Sequence, residues 1–135
     1  MKSILAACIV FSLMAGSALA SESKLNDKAL IGASVTRSYL DDGIRVNIGS
    51  IAVQGFWALA DWQQANTHTR GQVLLRWRCD HWGASDDIRG KKFSAAKLVR
   101  DGVPRIGAIQ LIADTLYLER SGIRYIAYAP AAAAC

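Results

Sequence analysis

The run "IRVNIGSIAVQGFWALADWQQANTHTRGQVLLRWRCDHW", Ile44 to Trp82, constrains the fold more than any other part of the chain. Apolar residues recur in it with a period of two, the pattern of strands whose successive side chains point to opposite faces. Ile44, Val46 and Ile48 alternate, and the parity then shifts to Ile51 and Val53. The Gly49-Ser50 step at the shift predicts a β-bulge. Gln54-Gly55 reads as a two-residue hairpin turn, with glycine free to take positive φ. In "FWALADWQQ", Phe56, Ala58, Ala60 and Trp62 share one face, and Trp57 and Leu59 the other. A polar loop from Ala65 to Arg70 leads to Gly71 and the strand "QVLLRWR". Val73, Leu75 and Trp77 line one side of that strand, and Leu74, Arg76 and Arg78 the other. Cys79-Asp80-His81 forms a turn, and Trp82 opens a short fourth strand. The prediction is an antiparallel meander whose small Ala58 and Ala60 leave room for a helix to lie close.

The flanking segments are helical. "SKLNDKALIGASVTRSYLDD" places Leu25, Ala29, Ala33, Thr36 and Leu40 near helical spacing, with Gly43 as a stop. The interior Gly32 costs such a helix about 1 kcal/mol relative to alanine. Downstream, Ser94 is placed to cap "AAKLVRD", and Gly102 to end it in a left-handed residue. Pro104 suits the start of "RIGAIQLIADTLYLER", whose buried stripe is expected to be Ile106, Ile109, Ala113 and Leu116, with Ser121-Gly122 ending it. "DDIRGKK", Asp86 to Lys92, reads as a solvated loop. Arg124, Ile126 and Tyr128 alternate weakly, as in a last strand. The expected fold class is α+β: an N-terminal helix packed on a small antiparallel β-meander, followed by two C-terminal helices, with a cystatin-like, cone-shaped form in view.

The first 20 residues carry an address. "MKSILAACIVFSLMAGSALA" sets one basic residue before an apolar run and ends Ala18-Leu19-Ala20, the order of a secretory signal peptide of Gram-negative type. "LAAC" at Leu5 to Cys8 has the form of a lipidation box, but only Ile4 and Leu5 precede it as an apolar core, so cleavage after Ala20 is expected. Residues 21–135 then form a single small domain, periplasmic or secreted, with no transmembrane segment left after cleavage. Both methionines, Cys8 and Lys2 leave with the signal. The remainder holds 15 basic and 11 acidic residues, two cysteines (Cys79, Cys135) and two histidines (His68, His81). The charges are scattered rather than gathered in a Lys/Arg stripe with stacking aromatics, which argues against a nucleic-acid partner.

Three stretches carry a family resemblance: "IAVQGFWALADWQQ", "RGQVLLRWRCDHW" and "LVRDGVPRIGAIQLIADTLYLE". Together they resemble the small exported bacterial proteins described as copper uptake system-associated. That family pairs a valine-rich strand, a Gly-turn and an A-x-A-x-W strand, then a second strand, a turn and a Trp, then an L…GVP…A…L helical pair. The resemblance runs from about Ile31 to Glu119. It implies a role beside copper acquisition and no known reaction; the expectation built on it is a non-enzymatic accessory protein, with copper as its candidate metal and a copper transport or envelope protein as partner. Where the family carries a cysteine after the Trp, this chain reads "WGASDDIRGKKF", with none, so no cysteine role is transferred.

The segment "RWRCDHW" then admits three readings. Cys79 and His81 are suitable donors for copper. Asp80, His68 or Cys135 would complete the set, although "QVLLRWR" separates His68 from Cys79 by about 25 Å at ~3.3 Å per residue. The two cysteines can instead remain free thiols. An even pair in an exported protein is by default a disulfide, and Cys79–Cys135 would contribute on the order of 4 kcal/mol in the chain-entropy model. For small ligands, the pocket candidates are Trp57, Trp62, Asp61 and Trp77 on the sheet. Asp61 is either a buried acid in a cone-shaped cavity or a surface residue of an edge strand. A metal-independent module that binds small ligands or proteins on a Trp-lined sheet face is the alternative function. No Ser/His/Asp or Cys/His spacing and no phosphate loop supports an enzyme.

Overall fold

The computed structural model describes residues 27–128; the expected signal peptide, Leu25 and Cys135 lie outside them. Helix α1 covers residues 27–41. It is followed by β1 (Val46–Gln54), β2 (Trp57–Gln64), β3 (Arg70–Trp77), β4 (Trp82–Arg89), α2 (Ala95–Arg100), α3 (Arg105–Ser121) and β5 (Tyr125–Tyr128). The class is α+β. The sheet has the order β4-β3-β2-β1-β5, with β1 to β4 an antiparallel meander. The expectation of a purely antiparallel sheet needs correction, because β5 returns after α3 and pairs parallel to β1.

Both faces of the sheet are covered. On one, Ile31, Val35 and Tyr39 of α1 pack on Ile51, Val53, Ala58, Ala60, Val73 and Leu75. On the other, α2 and α3 bury Leu98, Ala108, Leu111 and Leu118 against Ala52, Trp57, Leu59 and Leu74. Ala58 and Ala60 do face α1, and their small side chains admit it. The stripe on α1 is not the expected one, however. Ala29, Ala33 and Leu40 are exposed, while Ile31, Val35 and Tyr39 repeat every four residues and are buried. Near β5, burial and then the charge of Asp27 push the Tyr125 phenol up to about 12.

Local chemistry explains the turns. Gln54 pairs with Trp57, so the hairpin loop is Gly55-Phe56, one residue later than expected, with Gly55 at φ +59. Ser94 Oγ accepts from the Lys97 N–H at 3.2 Å and caps α2. Gly122, at φ +73, ends α3 in the left-handed conformation. Asp86 to Arg89 are strand rather than loop. They form part of β4, an edge strand whose charges discourage pairing with another chain. A second irregularity at Ser85 turns Asp87 and Arg89 toward α1 and Asp86 toward α2. There Lys97 lies 2.9 Å from Asp86, and its hydrogen bond holds the Asp86 carboxyl below the usual range.

One glycine is required by a close approach. A Cβ on Gly71 would lie 2.2 Å from the Ile88 carbonyl and 2.5 Å from the Trp62 ring. The missing side chain lets Trp62 cross β3 toward β4. There the Arg89 guanidinium sits 6.0 Å from both the Trp62 and Tyr39 rings, and Tyr39 donates to Asp87 at 3.1 Å. Gly71→Ala should therefore cost about 3 kcal/mol by overpacking against backbone, measured by urea unfolding.

Helix α3 also departs from expectation: Ile106, Ile109, Ala113 and Leu116 are exposed, and Ala108, Leu111, Asp114, Thr115 and Leu118 are buried. Asp114 accepts from Gln110 at 2.8 Å, but its second oxygen is buried with no partner among the described residues. Burial raises its pKa. A raised carboxyl favours folding below its unfolded pKa and loses that contribution as the pH climbs through the folded one. Asp114→Asn should thus stabilise the protein at neutral pH by on the order of 1 kcal/mol. Thermal melts across pH should show that gain shrinking as the solution is acidified.

Candidate functional site

The bulge in β1 organises the candidate site. Ile48 pairs with Trp62 and Ile51 with Ala60, so Gly49 and Ser50 together oppose Asp61. The extra residue returns the apolar residues of β1 to the α1 side after the step, as the parity shift predicts. It also aims Ser50 at the carboxylate across the strand pair. Ser50 Oγ donates to Asp61 Oδ2 at 2.8 Å. Gln72 Nε2 donates to Asp61 Oδ1 at 2.7 Å, and Gln72 Oε1 accepts from the Phe93 N–H at 2.7 Å. This relay joins β1, β2 and β3 to the entry of α2. Gln72 is 2 % exposed. Its amide therefore pairs one N–H and its carbonyl oxygen inside the protein, where unpaired groups are costly.

Asp61 is half-buried and lines a cleft of about 480 Å³. The cleft opens where β5 stops covering β1. That strand pairs only with Ile51 to Gln54, and the Ile51 N–H donates to the Arg124 carbonyl at 2.9 Å just before it begins. Asn47, Ile48 and the bulge form one wall, and Leu118, Glu119 and the Gly122–Arg124 segment form the other, with Arg70 and Trp62 at the end. Glu119 is paired with Lys92. Among the described residues neither Arg70, Arg124 nor Asp61 makes an ion pair. Two hydrogen bonds into Asp61 leave about half of its roughly four acceptor sites for a ligand. A carboxylate fixed in orientation thus lines a cleft to which Arg70 and Arg124 also contribute.

Of the sequence candidates, Asp61 and Trp62 belong to this cleft. The tryptophans do not form one lining. Trp57 is on the α2–α3 side, with Arg76 5.3 Å over its ring. Trp62, Trp77 and Trp82 are on the α1 side, with Trp62 tilted against Tyr39 at 4.8 Å and Trp77 against Trp82 at 5.5 Å. Trp57, Trp62 and Trp82 are buried, so they serve the core. Nor does the sheet leave an open cone for Asp61, since helices cover both faces. The acid instead meets solvent at the bulge.

The turn at Cys79 to His81 is built differently. The Arg78 N–H donates to the His81 carbonyl at 2.8 Å, and Cys79 takes φ +75. Cys79 is not a free thiol; its expected partner Cys135 lies outside the described residues. His81 Nδ1 stands 2.6 Å from Asp80 Oδ1, both side chains being well exposed. The pair borders a second groove, of about 530 Å³, formed with Arg37 and Asp41 of α1. Here Ser34 Oγ donates to the Trp82 carbonyl at 2.7 Å. The whole of β3 separates this turn from the loop that carries His68. Among the described residues no three His, Cys, Asp or Glu side chains gather into a metal-binding group.

Sequence reasoning passed over Gln72, Ser50 as a ligand of Asp61, and Arg124. A glutamine two residues before Leu74, on the same face of an apolar strand, was the available signal for the first. Gln72→Leu should leave Asp61 and the Phe93 N–H short of partners and cost about 2–3 kcal/mol, measured by chemical denaturation. Comparison of the chain with protein-family models, with curated proteins and with solved structures returned no match.

Proposed function

We propose that this chain is an exported, non-enzymatic accessory protein of the periplasm or cell exterior that acts by binding, with the Asp61 cleft as its ligand site. The observation that carries the reading is the fixed carboxylate: Asp61 is held by Ser50 and by the buried Gln72 while still lining the cleft. Holding a polar side chain in place before the ligand arrives reduces the cost of binding. The donors such a carboxylate favours are ammonium and hydroxyl groups, and Arg70 and Arg124 favour an anionic group on the same ligand. Small zwitterions and peptide ends combine the two.

A second reading places a role in copper handling at the hairpin turn, beside a copper transport or envelope partner. The pairing of Asp80 with His81 Nδ1 favours it, because a carboxylate on one ring nitrogen orients the other toward a metal. In this reading His81 acts without Cys79, which we propose to be bonded to Cys135.

Three measurements on the exported protein separate these readings. Tryptophan fluorescence should respond to a panel of free amino acids and dipeptides. Asp61→Ala should weaken that response by roughly ten- to a hundredfold, and a flat response from the unmodified protein would remove the cleft reading. Competition with a chromophoric Cu(I) chelator, repeated with His81→Ala, tests the second reading; unchanged affinity in the variant removes it. A thiol count under denaturing conditions should find no free thiol, whereas two per chain would refute the Cys79–Cys135 bond.

A further inference from the structure

Helix α3 is apolar on two opposite sides. Ala108, Leu111 and Leu118 face the sheet, whereas Ile106, Ile109 and Leu116 are 83 %, 54 % and 42 % exposed. With Ala113, the exposed residues are spaced three, four and three apart. That is the a/d spacing of a coiled-coil seam, narrower than the face of a helix lying on one apolar surface. A helix apolar on both sides is normally buried on both, and the sheet accounts for only one.

We infer that the outer seam of α3 is a self-association surface, on which a second copy of this chain docks antiparallel across a two-fold axis. Self-complementarity is what an isologous contact demands, and α3 has it. In the antiparallel register, Ile106 of one copy meets Leu116 of the other and Ile109 meets Ala113, so each layer sets a large residue against another or against a small one. The same register brings Arg105 at the start of one helix beside Glu119 near the end of the other, twice by symmetry. Glu119 already attracts Lys92 within its own chain, so a second cation completes a charge network at the rim. A parallel arrangement would instead set the two Arg105 side chains on opposite flanks, each facing Gln110 of the other copy, and would form no such charge pair. A membrane surface is the competing occupant: Arg105 and Arg120 at the two ends of α3 are the basic residues an interfacial helix carries, whereas Glu119 beside the seam opposes an anionic surface.

Sedimentation equilibrium of the exported protein, run from micromolar to millimolar concentration, tests this. The expected result is a reversible monomer–dimer equilibrium. Ile109→Glu should abolish it while leaving the far-ultraviolet circular dichroism and the thermal midpoint unchanged. Arg105→Glu should raise the dimer Kd roughly tenfold, since the two-fold axis repeats each contact. Adding Glu119→Arg to that variant should restore the dimer by exchanging the charges. A monomer throughout would overturn the inference, as would a dimer indifferent to Ile109→Glu or a double charge variant no better than Arg105→Glu. Recovery of a monomeric protein on anionic phospholipid vesicles, lost in Ile109→Glu, would replace the second copy with a lipid surface.

Discussion

The site depends on a single extra residue in β1. Without the bulge, the alternation that puts Val46 and Ile48 toward α1 would put Ala52 there and send Ile51 and Val53 to the other face. With it, Val46, Ile51 and Val53 all serve the α1 side. The step also removes one rung of the β1–β2 ladder opposite Asp61 and supplies Ser50 as that acid's donor. Burial of β1 and the orientation of Asp61 therefore share one cause. Bulges are placed in this way to re-aim side chains, and the cost of the lost rung is offset by the hydrogen bonds that hold Asp61.

Covering the sheet on both faces is the second constraint. Strands β2 and β3 sit at its centre with apolar side chains on either side, and Gln72 is the buried polar exception. It is accommodated because its amide is satisfied at both ends, by Asp61 and by the Phe93 N–H. At the far side of β3, Gly71 yields its volume to the Trp62 ring, which closes the α1 side beneath Arg89. The cleft is thus walled by groups fixed from both layers, and its shape is a consequence of packing in the core.

Much of this was legible in the sequence. The period of two identified β1 to β3, the parity shift located the bulge, and Ser94, Gly102 and Gly122 marked helix ends by their capping chemistry. The failures have physical reasons. In α3, the residues Ile106, Ile109, Ala113 and Leu116 and the residues Ala108, Leu111, Thr115 and Leu118 both satisfy helical spacing, so periodicity alone could not say which set meets the sheet. In α1, Leu40 extends the wrong stripe as readily as Tyr39 extends the right one. The charged end of β4 reads as a loop because an edge strand needs little apolar content. Asp61 could be singled out as an acid beside a tryptophan, but its partners come from strands whose register only the fold reveals.

The pairing of β1 with β2 is the measurement that bears most directly on the site. Cross-strand nuclear Overhauser effects in isotope-labelled protein should connect Ile48 with Trp62 and Ile51 with Ala60, with both Gly49 and Ser50 adjacent to Asp61. A continuous ladder, in which Ser50 rather than Ile51 faces Ala60, would contradict it. The bulge would then be absent, and the seat of Asp61 with it.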